Sequence, residues 1–308
     1  MLVSKARRKE EKMVYFIQLF MTGIMVGGIY SLAATGFVIV YRTSKVLNFS
    51  YGEFVLLGAF ITYLGLVQIN FPIWVTLPMV ILCMVVVSFF IERLILRPLV
   101  GRSTVINTIM VTIGLSMTLR GIVRIIWGSQ HLVLPSIVPL TPMSLGVIKI
   151  PSLYLMSMSI LTVVLVSLGI FFRKSIKGIA MRAVANDEMG AYTIGISIPR
   201  MLILAWSMAG VVAGFTGIIL ANLSVLHIEL KNIMIVIFPV IILGGLESIK
   251  GAVIAGFIIG LLEYLSIGYL DPIFGIIPIS QIVPISVLLI LILVYPYGFF
   301  GIKEIERL

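Results

Sequence analysis

The stretch MLILAWSMAGVVAGFTGIILANL, residues 201–223, decides the fold class because its 23 residues include no charged side chain. A helix needs about 20 consecutive, mainly apolar residues to cross the hydrocarbon core of a bilayer. The whole chain has the same character, since 60% of its residues are hydrophobic and 11% are charged, whereas roughly 25% are charged in a soluble domain. The sequence therefore predicts an all-α protein built as a polytopic bundle of transmembrane helices.

Apolar segments of this kind recur along the chain, separated by short stretches in which the charges gather. They lie at 13–41, 49–66, 73–91, 104–127, 151–172, 201–223, 233–246, 251–269 and 281–297. The pattern predicts about 8 to 9 membrane segments. It divides the chain into a basic N-terminal tail at 1–12, a transmembrane domain at 13–301 and a C-terminal tail at 302–308.

The distribution of basic residues predicts the orientation of the bundle. Loops 92–102 and 173–200 are rich in Arg and Lys, which places them on the cytoplasmic side. The proline-rich loop 128–150 carries only His131 and Lys149 as basic side chains and is expected outside. The same rule accounts for the net charge of +10 without nucleic acid, because the basic residues are not gathered on one face.

Two segments are expected to be broken or re-entrant. If 173–200 is inside, nine full crossings would leave the basic N-terminus outside, so one break is expected early, with both termini inside. Its candidates are 13–41, which is overlong and contains glycines, and 49–66, which begins with polar residues. The second break is expected in 233–246, which is short for a bilayer and ends near a Gly-Gly pair.

The two breaks predict a translocation pathway. Each broken segment follows or overlaps a glycine-rich span, so the chain has a loose internal repeat, and broken helices at matching positions often form the binding site of a transporter. Irregular backbone at membrane depth also needs protein or a water-filled cavity to satisfy its polar groups. The pathway residues predicted from the two breaks are Asn48, Ser50, Glu53, Gly244 and Gly245.

Charged residues within the spans are few and require partners. A charge at the centre of a membrane helix costs about 2.5–3.5 kcal/mol on insertion scales. Glu53, Arg120 and Glu263 lie in or near apolar segments and should face a partner or water. For Arg120 structural pairing is the favoured interpretation, whereas for Glu53 a pathway or gating role stays open.

Small residues four positions apart have a simpler interpretation. Gly210 with Gly214, and Gly256 with Gly260, show the spacing that lets helix backbones approach closely. They are interpreted as helix-packing contacts.

The basic loop at 173–200 contains a predicted short helix. Asn186 or Asp187 is suited to cap it, and Gly195 and Pro199 are suited to end it. Its apolar body between basic flanks fits a groove of a soluble partner; the alternative is a helix lying on lipid headgroups. The residues of this predicted docking helix are Asp187, Glu188, Met189, Gly190, Ala191, Tyr192 and Gly195.

No catalytic, nucleotide-binding or metal-binding pattern is found in the sequence. A Walker A loop requires a second glycine followed by Lys and a hydroxyl residue, which the nearest approach, Gly245 to Lys250, lacks. The lone Cys83 has no partner cysteine in the chain, and His131 and His227 have no acidic or Cys cluster around them. The sequence predicts a transport subunit that is not an enzyme and has neither cofactor nor metal.

Several motifs resemble the LivH-type permeases of branched-chain amino acid ABC importers, from about Gly23 to Gly301. The stretch GIYSLAATG at 28–36, followed by LNFSYGE at 47–53, is similar to the N-terminal signature of that family. Later blocks resemble the family in the same order: Glu92-Arg93, Arg97-Pro98-Leu99-Val100-Gly101, Arg182-Ala183-Val184-Ala185, Gly195-Ile196, Leu243-Gly244-Gly245-Leu246, Gly251-Ala252, and Pro296 with Gly298, Phe300 and Gly301.

The resemblance implies a permease subunit of an ATP-driven importer in the cell (inner) membrane, which forms part of the pathway for branched-chain amino acids. It implies a heterodimer with a second related permease, two cytoplasmic ATPase subunits that hydrolyse the ATP, and an external solute-binding protein. Residues 186–196 would be the coupling helix seated in the ATPase.

The chain departs from the family pattern at a few positions, and these leave the solute open. Met189-Gly190, Tyr51, Glu247 and Lys250 replace residues that are common in the family. Urea, a short amide or another amino acid are alternative solutes. A secondary transporter is disfavoured, because the chain has few carboxylates within the membrane to bind a coupling ion.

Overall fold

The computed structural model describes residues 2–99, 104–137, 143–145, 148–275, 278–295 and 298–300, and it places side chains in these ranges except at 2–11, 143–145, 148–150 and 231. The predicted C-terminal tail at 302–308 lies outside the described residues. So do four residues that carry the family resemblance: Val100, Gly101, Pro296 and Gly301.

The described part of the chain is almost entirely helical, as the sequence predicts. The helices are α1 Leu2–Ser44, α2 Tyr51–Tyr63, α3 Ile73–Phe90, α4 Val105–Trp127, α5 Ser152–Lys174, α6 Ile176–Asn186, α7 Glu188–Thr193, α8 Ile198–Leu223, α9 Ile233–Gly244, α10 Ile249–Tyr269, α11 Asp271–Phe274 and α12 Ile279–Val294. Two π-helical turns, Leu64–Gln68 and Ile91–Leu96, extend α2 and α3. Short 3₁₀ turns are formed by Arg97–Leu99 and Ile228–Asn232. Strands β1 Met143–Leu145 and β2 Ile148–Ile150 pair antiparallel between α4 and α5, with Met143 opposite Ile150.

Each predicted apolar segment corresponds to a helix. Seven helices are long and apolar enough to cross a membrane: Lys12–Ser44, Tyr51–Gln68, Ile73–Leu99, Val105–Trp127, Ser152–Lys174, Ile198–Leu223 and Ile249–Phe274. Helices α9 and α12 have 12 and 16 residues, so both are shorter than the roughly 20 residues that a full crossing requires. The protein is therefore an integral membrane protein with a polytopic helical bundle.

Helix α1 is continuous, so the break expected within 13–41 is not there. It runs for 43 residues through Gly27, Gly28 and Gly36. A Cβ built on Gly27 would lie 2.7 Å from the Cα of Phe257 in α10, which is closer than real atoms pack. The glycine is needed because α1 and α10 touch backbone to backbone, which is the packing role of small residues in membrane helices.

Helices α1 and α10 run antiparallel along the length of α10, which fixes where the N-terminal end lies. In the first half of α1, Tyr15 Oη donates to the carbonyl oxygen of Gly268 at 3.3 Å. After the end of α1, Lys45 forms an ion pair with Glu247, which precedes α10. The start of α1 therefore lies at the end of the bundle opposite to Lys45 and to the start of loop 173–200. This does not fit the expectation that the N-terminus and that loop lie on the same side; which end is inside stays a prediction.

The predicted cytoplasmic loops lie together at one end of the bundle. Arg42 and Arg173 line one cavity there. Gly210 of α8 lies against Ser88 of α3. This contact between the two helices brings the basic end of α3 close to the start of α8. The positive-inside rule predicts that this end faces the cytoplasm, and we call it the cytoplasmic end.

The predicted outer loop lies at the opposite end of the bundle. There the backbones of Leu132 and Leu226 exchange hydrogen bonds of 2.9 and 2.8 Å. These contacts join the loop after α4 to the loop after α8.

The core of the bundle lies where α1, α2, α8, α9 and α10 meet. The largest fully buried side chains are Trp206, Tyr51, Phe37, Phe54 and Phe60. Helices α3, α4 and α5 are mostly exposed at the periphery. In a bilayer, that exposed apolar surface faces lipid or another membrane subunit.

Candidate functional site

The first break lies between α1 and α2, and it is buried. Residues 45–50 are not helical, yet the side chains of Asn48 and Ser50 are almost completely buried. Asn48 Oδ1 accepts hydrogen bonds from the backbone N of Ser50 at 3.0 Å and from Ser50 Oγ at 2.6 Å. This arrangement is an Asx turn, in which a side chain replaces backbone pairing that a helix would otherwise provide.

Thr112 of the neighbouring helix α4 contacts the backbone of the same segment. Its Oγ1 lies 3.2 Å from the carbonyl oxygen of Leu47 and 3.4 Å from the backbone N of Phe49. Thr112 is seven residues into α4, so the break lies about 10 Å from the cytoplasmic start of that helix. Protein groups thus form hydrogen bonds with the irregular backbone at this depth, as burial in a membrane requires.

Two polar groups beside the break have no hydrogen-bond partner among the described residues. They are the amide nitrogen Nδ2 of Asn48 and the phenol oxygen of Tyr51, and both are buried. The Tyr51 ring occupies the space that a side chain at Gly36 would fill. Buried polar groups are normally paired with protein or water, so both groups lack a partner that such groups usually have.

Glu53, in the first turn of α2, pairs with Arg120 of α4. Arg120 Nη2 donates to Glu53 Oε1 at 2.8 Å and lies 3.3 Å from Ser116 Oγ. The side chain of Glu53 is 4% exposed and that of Arg120 is 33% exposed. The structural pairing expected for Arg120 is therefore present, and its partner is the carboxylate for which a gating role was left open.

This ion pair allows a double-mutant test that separates support from gating. Removing one partner of a buried pair typically costs about 3–5 kcal/mol, and because Arg120 is partly exposed we expect about 1–3 kcal/mol from either E53Q or R120Q. We expect the double variant E53Q/R120Q to be less destabilised than the sum, since no unpaired charge remains. The measurement is unfolding in detergent, with solute uptake recorded for the same three variants.

Uptake then distinguishes the two roles. If Glu53 only supports the fold, uptake should recover in the double variant together with stability. If Glu53 gates the pathway, uptake should stay low although stability recovers. Additive stability losses would contradict the pairing itself.

The second break follows α9, which ends at Gly244. Gly245 has a positive φ of +91°, a conformation that glycine adopts without strain. A Cβ built on Gly244 would lie 2.5 Å from the backbone N of Ala252, so α9 and α10 are in backbone contact at this turn. Beyond the turn, Phe299 N donates to the carbonyl oxygen of Leu243 at 2.9 Å, which satisfies one of the last carbonyls of α9. Both glycines thus have a structural reason that is independent of a pathway: close packing at Gly244 and backbone conformation at Gly245.

The two breaks lie close to each other. Lys45 and Glu247 form an ion pair between them. The ring of Phe238 in α9 lies 5.1 Å from that of Phe49 and 5.8 Å from that of Phe37. An exposed ion pair contributes only about 0–1 kcal/mol, so the aromatic contacts, in which Phe37 is buried and Phe49 and Phe238 are half-buried, are the stronger link.

The predicted docking helix is present as α7, at the cytoplasmic end. Asp187 caps it, with Oδ1 accepting from the backbone N of Gly190 at 2.9 Å. Gly195 ends it with a φ of +86°. Ala191 faces inward and is buried, whereas the side chains of Met189 and Tyr192 are 73% and 67% exposed. The helix therefore presents large apolar side chains at the end of a basic loop.

The family to which the chain is similar identifies which kind of membrane protein it is. Residues 19–294 match the family described as branched-chain amino acid transport system / permease component. The chain belongs to this family.

Three curated relatives match nearly the whole permease. The high-affinity branched-chain amino acid transport system permease protein LivH of Escherichia coli K12 is 28% identical, over 96% of this chain and 99% of its own. The probable branched-chain amino acid transport permease protein LivH of Methanocaldococcus jannaschii is 26% identical, over 92% and 93%. The permease protein BraD of Pseudomonas aeruginosa, from a system with the same description as LivH, is 25% identical, over 95% and 98%.

Sequence reasoning missed two polar contacts of the permease because their partners are far apart in the chain. Tyr30 Oη of α1 donates to Glu263 Oε2 of α10 at 2.8 Å, which gives this carboxylate its partner. At the outer end the rings of His131 and His227 lie 5.3 Å apart. Among the described residues, no group of three or more His, Cys, Asp or Glu side chains is arranged to hold a metal ion.

Proposed function

We propose that this permease is a membrane subunit of an ATP-driven importer and forms part of the pathway for branched-chain amino acids. The observation that carries the proposal is α7, a capped helix with exposed apolar side chains at the cytoplasmic end of a membrane-embedded bundle. Its placement in this permease family supports the same function, since the relatives are named as subunits of branched-chain amino acid transport systems. No Walker A loop is present in its sequence, so ATP hydrolysis is assigned to separate subunits.

The docking helix is proposed to transmit movement from an ATPase to the bundle. Exposed apolar side chains on a short helix fit a groove of a soluble partner. Helix α7 follows α6 and precedes α8, and α8 contacts α1, α2 and α3. A push on α7 would therefore reach the helices that surround the two breaks.

The pathway is proposed to pass beside the first break. Asn48, Ser50 and Glu53 gather polar atoms in an otherwise apolar region, and Asn48 Nδ2 needs a partner that the described residues do not supply. An amino acid carries an ammonium and a carboxylate, to which carboxylate and amide groups are complementary. Gly244 and Gly245 would serve the pathway by keeping the α9–α10 turn tight beside that break.

The proposed assembly has four further components. They are a second related permease, two cytoplasmic ATPase subunits and an external solute-binding protein. Selectivity would reside largely in the binding protein, because a tight site in the membrane would trap the solute.

Uptake by reconstituted proteoliposomes tests the function. They would contain this chain, the second permease, the ATPases and the binding protein, with leucine, isoleucine and valine offered beside urea and a short amide. We expect uptake of the three amino acids only with ATP, and none when the ATPase subunits lack their Walker A lysine. Uptake of urea or the amide alone would change the solute. Uptake by this chain without ATP would instead indicate a secondary transporter.

A further inference from the structure

A groove opens on the side of the bundle between α5 and α10, near the cytoplasmic end. We call it the basic groove; its cavity volume is about 900 Å³. Its walls are apolar side chains of α5 and α10, among them Leu165, Ile170 and Ile254. Ile170 and Ile254 are about half exposed, so the groove opens sideways, towards the bilayer.

The cytoplasmic rim of the basic groove carries four cations: Arg42, Arg173, Lys174 and Lys250. Within the described residues, none of the four has an ion pair or a side-chain hydrogen bond. Among the described residues that line the groove, the one acid is Glu247, which already pairs with Lys45. The rim is therefore strongly positive and lacks a counter-charge in the part of the chain that the structure describes.

We propose that the basic groove binds an anionic phospholipid of the cytoplasmic leaflet. Basic pockets between transmembrane helices on this side of a membrane suit acidic headgroups. The four cations would hold the phosphate, and the apolar walls would accompany the acyl chains into the bilayer. A free anion would leave those walls unused, and a zwitterionic lipid would bring no net charge to the cations.

A second groove on the other side of α5 provides an internal control. It lies between α5 and α8, has a cavity volume of about 880 Å³ and has similar apolar walls. Its cytoplasmic rim carries two cations, Lys177 and Arg200, instead of four. If charge decides lipid binding, this control groove should bind acidic lipid more weakly.

Native mass spectrometry of the full-length chain in a mild detergent tests the proposal. The delipidated protein receives phosphatidylglycerol or phosphatidylcholine with the same acyl chains. We expect wild-type protein to retain phosphatidylglycerol at least several-fold better. The double variant Arg42→Gln/Lys250→Gln should lower that affinity about thirtyfold, since each surface cation adds roughly one kcal/mol to acidic-lipid binding and two are lost. Lys177→Gln/Arg200→Gln should lower it less than about threefold.

Four results would overturn the proposal. Equal retention of the two lipids would mean that the cations do not select the headgroup, and the wild-type comparison gives this answer even if a variant fails to fold. Equal losses in the two double variants would mean that binding is not located in the basic groove. Displacement of phosphatidylglycerol by millimolar inorganic phosphate would identify a small-anion site. Finally, a reconstituted complex that retains no phosphatidylglycerol, although the isolated chain does, would show that another subunit covers the groove.

Discussion

Gly58→Leu is expected to prevent the permease from assembling into its native bundle. Gly58 of α2 faces Gly214 of α8 so closely that a Cβ built on it would lie 2.7 Å from the Cα of Gly214. The obstacle is backbone, which cannot rotate away as a side chain can. Inserting extra methylene groups into a well-packed core already costs about 1–3 kcal/mol. Here a complete leucine side chain would have to push two helix backbones apart. We expect a loss larger than that range.

Gly114→Leu is the matched control, because the same chemical change is made in a transmembrane helix with open space. Nothing lies within 4 Å of a Cβ built on Gly114 of α4. Leucine is also a better helix former than glycine, by up to about 1 kcal/mol. We therefore expect wild-type stability or slightly more.

Size-exclusion chromatography and thermal unfolding in detergent would compare the two variants. We expect Gly58→Leu to elute as aggregate or to melt far below wild type, and Gly114→Leu to behave as wild type. A monodisperse Gly58→Leu protein with an unchanged melting temperature would contradict the packing of α2 against α8.

Local patterns in the sequence predicted the helices well. Membrane spans depend on the apolar character of about 20 neighbouring residues, which can be counted along the chain without knowledge of contacts. The cap of α7 is equally local, since Asp187 bonds to a backbone N only three residues later. The sequence could therefore narrow the N-cap to Asn186 or Asp187 and the end of the helix to Gly195 and Pro199, and the structure has Asp187 and Gly195 in these roles.

Glycines are harder to interpret from the sequence, because the absence of a Cβ permits both close packing within a continuous helix and a turn that ends a helix. In α1 the glycines favour a break on sequence grounds, yet Gly27 allows a continuous helix to touch α10. At Gly245 it permits a turn with positive φ. The residues around Gly27 are apolar and fit either purpose, so the neighbouring helix decides which one applies there.

Pairings between distant residues could not be predicted from one sequence. Arg120 and Glu53 are 67 positions apart, and Glu263 and Tyr30 are 233 apart. The cost of an unpaired charge in the membrane predicts that each needs a partner, but not which helix supplies it. The structure provides that partner through the packing of α2 on α4 and of α1 on α10.

Met189→Asp/Tyr192→Asp is expected to abolish ATP-driven uptake without unfolding the permease. Burying one large apolar side chain contributes about 1.5–3 kcal/mol, so a partner that covers both would lose several kcal/mol and would also have to bury two charges. Both side chains are largely exposed in the isolated chain, so its own stability should hardly change. We expect at least a tenfold fall in uptake and in the amount of ATPase that co-purifies.

Met189 and Tyr192 are chosen because a substitution at the neighbouring Gly190 would give an ambiguous result. A side chain at Gly190 would press against the Asp187 carboxylate that caps α7, and loss of an N-cap alone costs about 0.5–2 kcal/mol. A change there would damage the helix rather than its exposed surface.

Met189→Leu/Tyr192→Phe is the matched control for the docking surface, since it keeps apolar side chains at the same two positions. We expect it to retain uptake and ATPase binding close to wild type. If the aspartate variant also retained both, α7 would not be the docking element and would instead lie on lipid headgroups. If both variants lost uptake while ATPase binding persisted, the Met189 and Tyr192 side chains would act after docking, in the transmission of movement to α8.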